Sequence, residues 1–153
     1  MLRTLVVALA GLGLPLALAA AEPGFKTSLV GGTPGELPTK GSVRLDLSDA
    51  DTMLLQVGKT ALRVSYQKVN TLEYGQTVSR RIAAAVLISP VFLLSKSHKH
   101  FVTLGFVDEA GKQQSLVLRV DKGDIRSVLA GLEARTGRRV EFLDDDARKA
   151  GKG

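Results

Sequence analysis

The sequence predicts a mainly β domain of the α+β class, a small antiparallel barrel or curved sheet closed by one C-terminal amphipathic helix. Three observations carry this expectation. Val43-Arg44-Leu45-Asp46-Leu47 and Leu62–Tyr66 alternate apolar and polar residues with the period of half-buried strands. Two hairpin signals, Gly58-Lys59 and Asp108–Lys112, each lie between strand-like segments. A single well-formed helical period, Ile125, Val128, Leu129 and Leu132, follows all of the main strands.

Taken in order, residues 1–21 read as a secretory signal. Arg3 is the positive n-region, Thr4–Leu18 is dominated by Leu, Val and Ala, and Ala19-Ala20-Ala21 places small residues at a cleavage site before Glu22-Pro23. An uncleaved N-terminal membrane anchor is the alternative, although Gly11, Gly13 and Pro15 weaken a continuous helix there. Residues 22–41 carry so many glycines and prolines that they read as a linker, with Phe25–Val30 at most an edge strand. The folded domain is then expected over 42–143. It begins with the Val43–Leu47 strand, turns at Ser48–Asp51, and continues through Met53–Val57, Thr60–Tyr66 and Val69–Tyr74 as an antiparallel meander. Beyond a central apolar stretch, Phe101–Val107 and Gln113–Val120 form a second hairpin. The helix is expected over Asp121–Thr136, with Asp121 as N-cap, Asp124 in the first turn and Gly137 as the stop. Arg138–Phe142 is a short last strand candidate, and 144–153 a charged, fraying tail.

With 153 residues, 44% hydrophobic and 24% charged, the chain suits one globular domain. The formal charge of +6, or +5 without Arg3, favours acidic partners, and a solvated surface accounts for it equally well. Having no cysteine excludes disulfides, a thiol nucleophile, a thiolate metal site and a lipid-modified cysteine. An exported location argues against a nucleic-acid partner, as do two tyrosines and no tryptophan for base stacking.

The central stretch sets an apolar run, Ile82–Leu94, between basic flanks containing Arg80, Arg81, Lys96 and Lys99. As a helix its 13 residues span about 20 Å, short of a hydrocarbon core of about 30 Å, and Pro90 interrupts it. Three readings stay open. The run is a core strand or buried turn, a loop that dips into an anionic membrane surface, or a patch for an envelope protein. The contact residues under the latter two are Arg80, Arg81, Val86, Leu87, Phe92, Leu93, Lys96 and Lys99.

Tyr66-Gln67-Lys68-Val69, Leu72-Glu73-Tyr74-Gly75-Gln76, Arg80-Arg81, Ser95-Lys96-Ser97-His98-Lys99-His100 and Leu132-Glu133-Ala134-Arg135-Thr136-Gly137 form a recognisable series. Over roughly Leu62 to Lys149 the chain resembles a group of small exported bacterial proteins with a pleckstrin-homology-like or GRAM-like β-barrel and a C-terminal helix. The resemblance implies that fold and a non-enzymatic scaffold, and it carries over no substrate and no catalytic residue.

No catalytic constellation, cofactor or metal site is expected. His98 and His100 share one strand face yet have no nearby carboxylate as third ligand. Asp49, Asp51 and Asp144-Asp145-Asp146 lack the spacing of a calcium loop. Glu73 and Tyr74 point to opposite faces of one strand, and no serine sits in a nucleophile elbow. The expectation is a non-catalytic exported binding or scaffold module. Its rivals are peripheral membrane association through 82–94 and a small hydrolase whose groups only folding brings together.

Overall fold

The structure, a computed structural model, describes residues 24–35, 37–38, 41–78, 80–86, 88 and 99–152. The described residues are mainly β. Strands β1 (Phe25–Gly32), β2 (Gly41–Asp46), β3 (Thr52–Val57), β4 (Thr60–Ser65), β5 (Val69–Gly75), β6 (His100–Val107), β7 (Gln113–Val120) and β8 (Glu141–Phe142) form one sheet. Their spatial order is β4-β3-β2-β1-β7-β6-β5-β8. Three helices accompany them, α1 (Arg80–Ala85), α2 (Ile125–Thr136) and α3 (Asp145–Lys152). Every strand pair is antiparallel except β5 with β8.

Chain connectivity forces this sheet to curl. Only the 3-10 turn Tyr66–Lys68 separates β4 from β5, yet the two strands stand six places apart in the sheet. In a flat sheet those six spacings amount to roughly 29 Å. The link from Ser65 to Val69 reaches no more than about 14 Å even fully extended. The sheet therefore bends into a half-barrel that brings β4 back toward β5.

Side chains on the concave face make the main core. One row crosses five strands through Leu29, Leu118, Val102, Tyr74 and Phe142, and the next joins Leu116, Leu104 and Leu72. On the other half, Leu45, Leu55 and Leu62 lie abreast. The expected stripe of α2, Ile125, Val128, Leu129 and Leu132, is buried in the same cluster. Burying these four side chains contributes roughly 6–10 kcal/mol before entropy costs. Arg135, in the last turn, donates to the carbonyls of Asp49 and Ser48 at 2.7 and 3.4 Å, tying the helix to the β2–β3 turn. Gly137 ends the helix in the left-handed conformation, at φ 66°, as expected. At the β3–β4 hairpin Gly58 has φ 59° while Lys59 stays out of that region, so the turn is of the II′ kind that wants glycine first.

A smaller cluster occupies the opposite face. There Ile82 and Val86 pack on Val30, Phe101 and Val117, so α1 and the residue after it cover part of the convex side.

Five expectations are corrected. Residues 22–41 are not a linker throughout, because β1 lies in the middle of the sheet between β2 and β7 rather than at an edge. The run of strands from 43 to 74 is not a simple meander, since β5 leaves β4 and pairs with β6 and β8. Helix α2 starts at Ile125 with Asp124 at its cap, and Asp121 only accepts the turn bonds of Asp124 and Ile125 through its carbonyl. The charged tail is helical: Asp144 caps α3 by accepting from the amide of Ala147 at 2.6 Å, and Ala147 is fully buried. Arg138–Phe142 supplies a strand only at Glu141–Phe142.

Two substitutions test this packing. Leu132→Ala is expected to cost about 2–5 kcal/mol in urea unfolding, the range for emptying a buried leucine site. Tyr66 is buried with a hydroxyl that finds no partner among the described residues, and burial holds its pKa above the ordinary value. Tyr66→Phe is therefore expected to leave stability unchanged or raise it by up to about 1 kcal/mol. A clear loss in the phenylalanine variant contradicts this packing of Tyr66.

Candidate functional site

Three polar arrangements stand out, and the curled sheet positions each of them. The first is an open groove of about 670 Å³ between β4 and the end of β6 with its following turn. Leu62, Val64, Phe106 and Val107 supply its apolar lining, Arg63 and Lys68 stand on the β4 side, and Asp108 and Glu109 on the turn. Asp108 accepts from the Gln114 side chain at 2.7 Å and the Lys112 amide at 2.8 Å. Those bonds, the Gln114 contact first, hold its carboxyl below the usual range. It is thus committed to shaping the turn. Asp49 is held low in the same way, by the amides of Asp51 and Thr52.

The second arrangement is a buried ring pair inside the half-barrel. The Tyr74 hydroxyl lies 2.6 Å from His100 Nδ1, and the rings stack at a centroid distance of 5.9 Å. Phe142 meets the tyrosine edge-on from β8. Burial, followed by the nearby negative charge of Asp144, pushes Tyr74 up to about 12. The phenol therefore keeps its proton at neutral pH and shares a hydrogen bond with Nδ1, whose direction follows the tautomer of His100. Asp144 itself caps α3 and accepts from the amide of Gln76 at 2.9 Å, so one carboxylate joins β5's end to the last helix.

The third is on the convex face. Glu73 is 1% exposed, and its Oε1 accepts from the Arg81 guanidinium at 2.9 Å while that arginine stays 78% exposed. Its Oε2 is buried without a partner among the described residues. Strand alternation sends Glu73 outward, where it would meet water if α1 did not return across it. Glu73 and Tyr74 do face opposite sides, as the alternation predicts.

The contact residues proposed from sequence separate into three groups. Arg80 and Arg81 are exposed at the start of α1, Lys99 is half-buried just before β6, and Val86 is only 3% exposed within the small convex cluster. Leu87, Phe92, Leu93 and Lys96 lie outside the described residues, as does His98. His100 is 7% exposed and bonded to Tyr74. Among the described residues no group of three or more metal-ligating side chains comes together, and no helix is long and apolar enough to cross a membrane.

Sequence reasoning missed the groove because its walls come from 52–68 and 106–110, which only the curl of the sheet brings together. It missed the Glu73–Arg81 pair because alternation alone makes Glu73 a solvent-facing residue. The Tyr74–His100 pair had a usable signal, since both positions share the parity of inward-facing neighbours, Leu72 and Val102.

No protein-family model matches the chain, and no curated protein aligns with it significantly.

Two measurements probe the buried groups. For Tyr74 the folded-state pKa lies above the unfolded value near 10, so its contribution is fully present below about pH 10 and is lost as pH rises toward 12. The wild type is expected to lose roughly 2–3 kcal/mol more than Tyr74→Phe over that window in urea midpoints. Parallel curves for the two proteins contradict a raised tyrosine. Arg81→Ala leaves the Glu73 carboxylate buried with no hydrogen-bonding cation, and about 1–3 kcal/mol of stability should go with it. Adding Glu73→Leu to that variant should recover part of the loss, because it removes the buried polar group left without its donor.

Proposed function

We propose that this chain is a non-catalytic binding module, exported after removal of residues 1–21, whose contact surface is the groove between β4 and the β6–β7 turn. The observation that carries the reading is the groove itself: an apolar lining, mobile-length cations on one wall and a carboxylate turn on the other. Arg63 and Lys68 are exposed and make no hydrogen bond or close ion pair among the described residues, so both are available to a ligand. The titratable groups that depart from ordinary values support the same reading. Asp49 and Asp108 shape exposed turns, and Tyr66 and Tyr74 are core hydroxyls. None of them faces another across a cleft as a general acid–base pair requires.

The architecture we infer is pleckstrin-homology-like, with α2 as the element that seals the half-barrel. Strands followed by one amphipathic helix, and the burial of the α2 stripe among concave-face side chains, support this. The partner we favour is a component of the cell envelope. Association with an anionic membrane surface through 82–94 is the less favoured reading, because Ile82 and Val86 already pack against the sheet.

Photo-crosslinking in the producing cells tests the location of the surface. A photoreactive amino acid placed at Ala61 or Glu109 is expected to yield a discrete adduct in the envelope fraction. The same residue at Lys122, exposed before α2, should yield none. Adducts from Lys122 alone would place the contact elsewhere.

A further inference from the structure

The free edge of β4 carries more information than the groove beside it. Among the described residues β3 is the only strand bonded to β4, which ends the sheet. The pairing of Val57 with Thr60, Leu55 with Leu62 and Met53 with Val64 continues into a bond from the Tyr66 amide to the Asp51 carbonyl at 3.0 Å. In an antiparallel ladder, residues alternate between bonding their neighbour and facing away from it. Thr60, Leu62, Val64 and Tyr66 therefore bond toward β3. The N–H and C=O groups of Ala61 and Arg63 point the other way, into the open side of the half-barrel.

We propose that this edge takes an extended, acidic peptide segment of a partner protein as a ninth strand, laid along the groove. The proposal rests on the groove being the binding surface and names what binds there. Outward donors and acceptors spaced two residues apart match the backbone of another strand, whereas lipid headgroups or polysaccharide do not repeat at that interval. A strand beside β4 places alternate side chains against half-buried Leu62 and the lining residues Val64 and Phe106. The intervening side chains lie next to Arg63, with Lys68 at the end of the same wall. Among the described residues neither cation makes a hydrogen bond or close ion pair, Asp49 acting on Arg63 only at longer range, so carboxylates at those alternate positions complement them. A second copy of this chain is a poor occupant. Antiparallel self-pairing centred on Arg63 or its neighbours sets a cation opposite or diagonal to a cation, which is destabilising.

The experiment uses two end-blocked, fluorescein-labelled peptides of about six residues, an ordinary strand length, one alternating valine with glutamate and one valine with lysine. Fluorescence anisotropy with the full mature chain is expected to show the valine–glutamate peptide binding at least about tenfold more tightly. Ala61→Pro removes an outward N–H without taking a bond from the β3 ladder, so the fold should survive and binding should fall about tenfold or more. Arg63→Glu is the second variant, and it should reverse the preference between the peptides whether or not the proline variant folds. No binding of the valine–glutamate peptide near millimolar concentration overturns the proposal. So does equal binding by a folded Ala61→Pro, or equal capture of phosphatidylglycerol vesicles by the wild type and that variant, which marks simple polyanion adsorption. An adduct at Ala61 in cells alongside failure of both peptides leaves the groove as the binding surface and removes the strand.

Discussion

Tyr66, Gln67 and Lys68 are the whole of the path between two strands that stand six places apart in the sheet order. A link this short is a distance constraint on the entire sheet, and the remaining architecture answers to it. The curl produces a concave face deep enough to bury Leu29, Leu45, Leu55, Leu104, Leu116 and Leu118, all at most 1% exposed. It also leaves that face wider than strands alone can fill. The stripe of α2 packs into the same core, and Arg135 anchors the helix to the β2–β3 turn. The same curl brings β4 toward the end of β6 without pairing them, and so produces the groove.

Polar groups divide between the two faces according to what covers them. Inside, the Tyr74–His100 pair is matched donor to acceptor and costs little to bury. Outside, the Glu73 side chain is buried beneath α1 and among the described residues is answered at one oxygen only. An exposed guanidinium on a buried carboxylate orients α1, while the apolar contacts of Ile82 and Val86 hold it down. The basic start of this helix is in that respect a structural feature first. Arg63 and Lys68 differ because among the described residues no side chain bonds to them.

Much of the fold was legible because its local signals agree with its packing. Gly58-Lys59 marks a II′ hairpin, Asp108–Lys112 marks a turn, and the α2 stripe is buried at each of its four positions. Strand β1 was hidden because its glycines read as chain breakers. In the folded sheet a Cβ on Gly32 would lie 2.7 Å from Leu116 Cδ2, so glycine there reports close packing rather than a loop. Helix α3 was hidden by composition, since six of its eight residues are charged or glycine and a buried contact, Ala147, lies among them. Most of the groove could not be read at all. Its walls are distant in sequence, and the curl that joins them follows from a strand order that periodicity does not specify.

The central claim is that among the described residues β4 ends the curled sheet, its outward backbone groups unpaired by them. Amide hydrogen exchange of the isolated chain, read residue by residue along β4, tests it most directly. Slow exchange at Leu62 and Val64 with fast exchange at Ala61 and Arg63 is the predicted result. Equal protection at all four amides would mean that another strand already occupies the edge, and the account would fail.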